Sequence, residues 1–307
     1  MVRSACTVSS SAALRVKNAH MAGVKGLKRV PPTRISRASL ALIAMTKEDF
    51  ETMAEVYSRP AVTQGGARSV GSSVDQGLRS FMIGTYNYMA LGVAGTAVVV
   101  LALMNSPAAL AAIASGPLKW VLFAAVLGLG FFANKLFYSG SAVVAHGAYW
   151  LYCALWGAMM APMIYVFMSK GHIGLVGQAF FIAAATFAAT SVIGYTTKKD
   201  MTGWGGFLSM ASIGMIVAML VSFFFITDPG TSKMVSFGIS AIVVLLFSVV
   251  TAWETQNIKN MYLVGASEGG QEFLNRSSIF GAFMLYGSFV TLFVHILNLL
   301  GIMNTEE

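Results

Sequence analysis

From Phe81 onward the chain alternates long apolar stretches with short polar connections. Seven stretches are predicted to be membrane-crossing helices: residues 81–104, 118–136, 142–168, 173–195, 207–227, 234–253 and 279–303. A bilayer core takes about 20 apolar residues per helix, and each stretch meets that length. Only thirteen charged residues lie between Phe81 and Asn304. Nearly all fall in connections or at span ends, where they cost little. Short connections make neighbours in sequence antiparallel neighbours in space. Trp120, Tyr195, Trp204 and Trp253 stand near the expected span ends, as an interfacial aromatic belt requires. In the fourth span Ala184 with Ala188, and Ala185 with Ala189, are small residues four apart, which reads as close helix packing.

Composition agrees with an all-α integral membrane protein. Hydrophobic residues make up 56% and charged residues 10% of the 307, against about 25% charged in a soluble domain. Mean hydropathy is +0.71. Two cysteines, Cys6 and Cys153, exclude a disulfide scaffold. The net charge of +8 is uneven: residues 1–80 hold 12 of the 20 basic and 5 of the 12 acidic residues. The expected organisation is therefore a basic, largely disordered tail over 1–77 and a seven-helix domain over 78–307. Residues 1–46 hold eight Lys/Arg and no acid. That leader reads either as an organellar transit peptide or as an over-extended start, with Met21 or Met45 opening the mature chain. A basic arm beside an anionic membrane face accounts for it better than nucleic-acid binding, and no nucleic-acid partner is expected. With the N-terminus cytoplasmic, the inside set is Arg68, Arg79, Lys135, Lys198, Lys199, Lys259 and Arg276, against Lys119, Lys170 and Lys233 outside. The balance favours N-in.

Several chemistries are not supported. The last span holds no lysine for a retinal Schiff base. Ser288 and His295 share a face of that span but stand roughly 10.5 Å apart along its axis, too far for a nucleophile and its base. His146 could reach Ser288 only by a tertiary contact that nothing in the sequence indicates. The histidines show no ligand pair at helical spacing, so no metal or cofactor is expected. No nucleotide-binding loop is present, and Gly203-Trp-Gly-Gly reads as a turn. No enzyme is expected. Glu254, in Thr251-Ala-Trp-Glu-Thr-Gln-Asn-Ile-Lys259 at the end of the sixth expected span, is the carboxylate most suited to a role. Two readings stay open for it: a buried group with a partner, or an interfacial carboxylate facing water. Asp200, with Lys198 and Lys199, reads as an interfacial motif.

Three segments then carry a resemblance: Gly194-Tyr-Thr-Thr-Lys-Lys-Asp-Met-Thr-Gly203, Thr251 to Met261, and Leu285-Tyr286 with Leu292-Phe293 and Leu299-Leu300-Gly301. Their order and spacing resemble the Bax inhibitor-1 family, the transmembrane Bax-inhibitor-motif proteins, in its bacterial YccA/YbhL-type branch. Tyr86-Asn-Tyr-Met-Ala-Leu-Gly on the first span adds weaker support. The resemblance runs over about 78–302. It implies seven helices with the last central between two groups of three, in a bacterial inner membrane, or in an organellar one if the leader is a transit peptide. It also implies a calcium-permeable, pH-sensitive leak, latched by two hydrogen-bonded acids on the sixth and seventh helices. Glu254 takes the place of the first acid. The second is absent: the family's Leu-Tyr-Leu-Asp-Phe reads Leu285-Tyr286-Gly287-Ser288-Phe289 here. A serine can bond Glu254 but cannot share a titrating proton with it, and it halves the charge offered to a calcium ion. The ion-pathway residues so implied are Glu254 and Ser288, with His295 as a substitute titrating group. Some bacterial relatives modulate the FtsH membrane protease, so a non-conducting interaction protein is the alternative expectation. The expected partners are the lipid bilayer, a calcium ion and a membrane protease.

Overall fold

The computed structural model describes residues 64–304 apart from residue 140, and the expected tail upstream of Gln64 lies outside the described residues. Eight α-helices follow one another: α1 (Gln64–Met104), α2 (Pro107–Ser115), α3 (Leu118–Ser139), α4 (Ala142–Ser169), α5 (Ile173–Thr196), α6 (Gly205–Phe225), α7 (Pro229–Val264) and α8 (Gly270–Asn304). Seven are long and apolar enough to cross a membrane; α2 is too short. The expected boundary at residue 77 falls inside α1, which is already helical from Gln64.

Local chemistry sets several helix starts. Ser106 accepts from the Ala109 amide ahead of Pro107, and Ser141 accepts from the Val144 amide. Asp228 accepts from the Thr231 amide at 2.7 Å, with Pro229 in the first turn of α7. Each cap satisfies an amide that the helix itself leaves without a partner. The Thr231 amide, then its hydroxyl, hold the Asp228 carboxyl below the usual carboxylate range. A carboxyl depressed in the folded state stabilises above the ordinary range and stops doing so as pH falls through its folded value. Asp228→Ala is therefore expected to lower Tm by a few degrees at neutral pH and to lose most of that difference in acid. Thermal melts in detergent at the two pH values check this; an equal deficit at both contradicts the cap.

α8 is the centre. It packs against α3, α4, α5 and α7 and bonds to α1 through Ser278 to Thr85 and Tyr286 to Thr96. Around it stand two groups of three, α1–α3–α4 and α5–α6–α7. Its inner residues include Leu285, Tyr286, Leu292 and Leu297, all fully buried. The outer helices turn large apolar side chains outward instead: Phe131, Phe181, Met210 and Phe225 are exposed. In water such surface would be costly, and in hydrocarbon it is the solvated face. α6 is the extreme, with Leu208 its one buried residue.

Three expectations change. The sixth and seventh spans do not stop at 253 and begin at 279. α7 continues to Val264, a π-turn occupies Gly265–Gly269, and α8 starts at Gly270, whose φ of 68° turns the chain. Hydropathy falls there because Glu254, Thr255 and Gln256 are polar, yet all three are buried in the bundle, so the helix has no reason to end. Trp253 consequently lies inside α7 rather than near its end, its indole against Gly205 at the start of α6. In α5 the alanines buried in the core are Ala179 and Ala183, while Ala185, Ala188 and Ala189 face outward.

Candidate functional site

Glu254 sits on α7 with 8% of its surface exposed, and Ser288 on α8 with 2%. The Ser288 hydroxyl donates to Glu254 Oε2 at 2.7 Å. Two features make this contact possible. Gly287, one residue before Ser288, lets the Tyr152 hydroxyl of α4 approach; a Cβ there would lie 3.1 Å from that oxygen. Gly194 lets α5 and α7 touch through their backbones, two residues from Glu254. A Cβ on Gly194 would lie 2.2 Å from the Ala252 carbonyl oxygen. The carboxylate is thus enclosed by α4, α5, α7 and α8, and the Ser288 hydroxyl donates to it. Hydrogen bonds to charged groups contribute about 1.5–3 kcal/mol.

Lys198, Lys199 and Asp200 lie in the connector between α5 and a 3₁₀ turn at Thr202–Trp204, and all three are exposed. Asp200 accepts from the Thr202 amide at 2.9 Å. The Thr202 hydroxyl, then that amide, hold its carboxyl below the usual range. The connector is tied to α7 by Gln256. Its Oε1 accepts from the Met201 amide at 2.7 Å, and its Nε2 donates to the Lys199 carbonyl at 2.8 Å. Lys259, one turn on, donates to the Tyr195 carbonyl at 3.3 Å and stands over the Tyr195 ring. Gln256 lies inside the Thr251–Met261 segment, but sequence reasoning passed over it. A neutral amide in a polar run carries no signal until the backbone it bonds is known.

His295 is not with Glu254. It lies about 10.5 Å along α8 from Ser288, its Nδ1 at 3.0 Å from Ser240 Oγ. Asn298 donates to both Ser236 and Ser240 at 2.8 Å. These groups line a cavity of about 400 Å³ where α6, α7 and α8 meet. Asn298 stands one turn from His295 on the same face, a spacing that by itself does not mark a cluster. His146 faces the Tyr88 ring, their centroids 5.8 Å apart. It stands about 9 Å along α4 from Tyr152, the α4 residue that packs beside Ser288.

Tyr286 was also missed as a polar residue. Fully buried, it lies 2.6 Å from Thr96 Oγ1. The single Thr96 hydroxyl proton is directed at the Gly92 and Cys153 carbonyls, so Tyr286 donates to Thr96. Polar contacts from α8 therefore reach α1, α3 and α7, the α3 contact being Ser277 with Tyr138 at 3.4 Å. Interhelical bonds in bilayers average only about 0.6 kcal/mol. They set the register of α8, and apolar packing holds it.

The family described as inhibitor of apoptosis-promoting Bax1 matches residues 78–305. The inner membrane protein YbhL of Escherichia coli is 31% identical over 228 residues, covering 73% of this chain and 92% of YbhL. An uncharacterized protein of Caulobacter vibrioides is 34% identical over 252 residues, 78% of this chain and 96% of its own length. An uncharacterized protein of Deinococcus radiodurans is 37% identical over 229 residues, 74% of this chain and 92% of its own length.

Proposed function

The chain belongs to the Bax inhibitor-1 family and is an integral membrane protein, and on that premise we propose that it is a cation leak gated where α7 meets α8. The observation that carries this reading is the buried hydrogen bond from Ser288 to Glu254. A carboxylate enclosed by four helices is costly in a bilayer and is kept where it serves a pathway. Glu254 supplies the negative charge that draws a calcium ion, and Ser288 holds its carboxylate in place. With one acid instead of two, the repulsion that opens a carboxylate pair is missing. The pathway then conducts weakly and lacks the two-acid switch, its remaining pH response being the loss of the single Glu254 proton. The similarity to an inner membrane protein supports a bacterial inner membrane as its location, and the lysine and arginine balance supports a cytoplasmic N-terminus.

Calcium uptake by proteoliposomes tests the reading. Glu254→Gln keeps the volume and the bond to Ser288 but removes the charge. It is expected to reduce flux about tenfold, equivalent to about 1.4 kcal/mol. Unchanged flux removes Glu254 from the pathway, and no cation flux at any pH removes the leak. A second reading rests on the same missing acid: without its partner carboxylate, the fold serves as a non-conducting surface that modulates a membrane protease such as FtsH.

A further inference from the structure

A second cavity, of about 560 Å³, lies in the opposite flank of α8 from His295 and is almost wholly apolar. α1, α4 and α5 wall it and α8 forms its floor, with Val93, Leu101, Met104, Met168, Gly177 and Phe293 marking its extent. Leu101, on its rim, is 62% exposed, so the groove faces the hydrocarbon around the bundle. From Val93 to Met104 it runs about 16 Å along α1, close to half of a hydrocarbon core about 30 Å thick. That is the depth of one leaflet. At its end the chain passes from Met168 to Ile173 through a connector carrying the exposed Lys170. Residues 76–199, which supply α2 to α5 and the spanning part of α1, contain no Asp or Glu. The walls bring no carboxylate to the ammonium, and Glu306 and Glu307, which follow α8 in sequence, lie outside the described residues.

We propose that this groove binds one acyl chain of an anionic phospholipid, with the lipid's phosphate against Lys170. The apolar length selects a chain from one leaflet, and the acid-free wall selects the headgroup charge. Snorkelling lets the lysine reach the headgroup level from the helix end. Occupancy does not depend on whether the chain conducts.

The full chain, purified in detergent and titrated with dioleoyl phosphatidylglycerol or dioleoyl phosphatidylcholine, tests this by native mass spectrometry. The wild type is expected to hold one phosphatidylglycerol about tenfold more tightly than phosphatidylcholine. Lys170→Ala should bring the two lipids to within about twofold of each other. Gly177→Leu fills the groove. A Cβ there meets nothing within 4 Å, the rest of the side chain enters the groove, and leucine is the better helix former, so this variant should fold and melt no lower than wild type. It should bind phosphatidylglycerol about tenfold more weakly. Equal affinity of the wild type for both lipids overturns the headgroup assignment, and undiminished binding by Gly177→Leu overturns the groove. A dimer of the wild type that Gly177→Leu abolishes places a second copy of the chain there instead.

Discussion

Ser288→Asp is expected to make calcium flux rise much more steeply with pH than in the wild type, where Glu254 alone loses a proton. The substitution places a second carboxylate against Glu254, across a contact that is now 2.7 Å. While the pair holds one proton, it forms a hydrogen bond stronger than the hydroxyl bond it replaces. When that proton leaves, two like charges remain. At about 4 Å and an effective dielectric constant of 20 they repel by about 4 kcal/mol. That exceeds the roughly 1.5–3 kcal/mol that a hydrogen bond to a charged group contributes, so α7 and α8 separate locally. A rise from acid to alkaline pH at least about tenfold larger than that of the wild type is expected, since part of the repulsion is relieved by water entering. Flux in proteoliposomes across that range reads the effect. A profile in Ser288→Asp no steeper than that of a conducting wild type rules out the α7–α8 contact as a gate. Silence in wild type, Glu254→Gln and Ser288→Asp alike leaves the protease-modulating surface as the working reading.

Gly194→Ala should be the most damaging single methyl group in the molecule's helices. Its Cβ would stand 2.2 Å from the Ala252 carbonyl oxygen and 2.8 Å from that residue's Cα. Both obstacles are backbone, so no side-chain rotation relieves them, and α5 must move away from α7. Overpacking in a well-filled core costs about 1–3 kcal/mol; a clash with backbone should lie at or above the top of that range. The movement would also withdraw the α5–α6 connector from Gln256. Thermal melting in detergent reads the loss, with Gly214→Ala as the control. At Gly214 a Cβ meets nothing within 4 Å, and alanine is the better helix former by about 1 kcal/mol. Gly194→Ala melting with the wild type would contradict the close approach of the two helices.

The seven crossings are legible in hydropathy because lipid-facing side chains such as Phe131 and Phe225 must be apolar wherever the chain is in hydrocarbon. The same signal fails at 254–278, where Glu254, Thr255 and Gln256 turn into the bundle, Gln271, Glu272 and Asn275 are exposed, and the helices run on past the apolar stretch. α2 escapes it by being short. The meeting of Glu254 and Ser288, thirty-four residues apart, is legible only through family resemblance, because no periodicity on either helix points to the other. Gly194 opens the Gly194–Gly203 motif, but its reason lies in the backbone of Ala252, which a sequence does not display. Gln256, Tyr286 and the Ser240–His295–Asn298 cluster share that difficulty. Each is an ordinary residue until its tertiary partner is placed.

The central position of α8 has a consequence for how the molecule is made. Translation delivers α8 after every helix that surrounds it. At about 5–20 residues per second, the earlier helices wait in the membrane for seconds without it. During that interval Thr85, Thr96 and Ser240 lack their α8 partners, and Glu254 lacks the Ser288 hydroxyl. A carboxylate facing an unfinished bundle is what an insertion chaperone or a quality-control protease can detect. Ribosomes halted before residue 270 should therefore yield chains that are inserted and promptly degraded, and release of α8 is the step that ends their exposure.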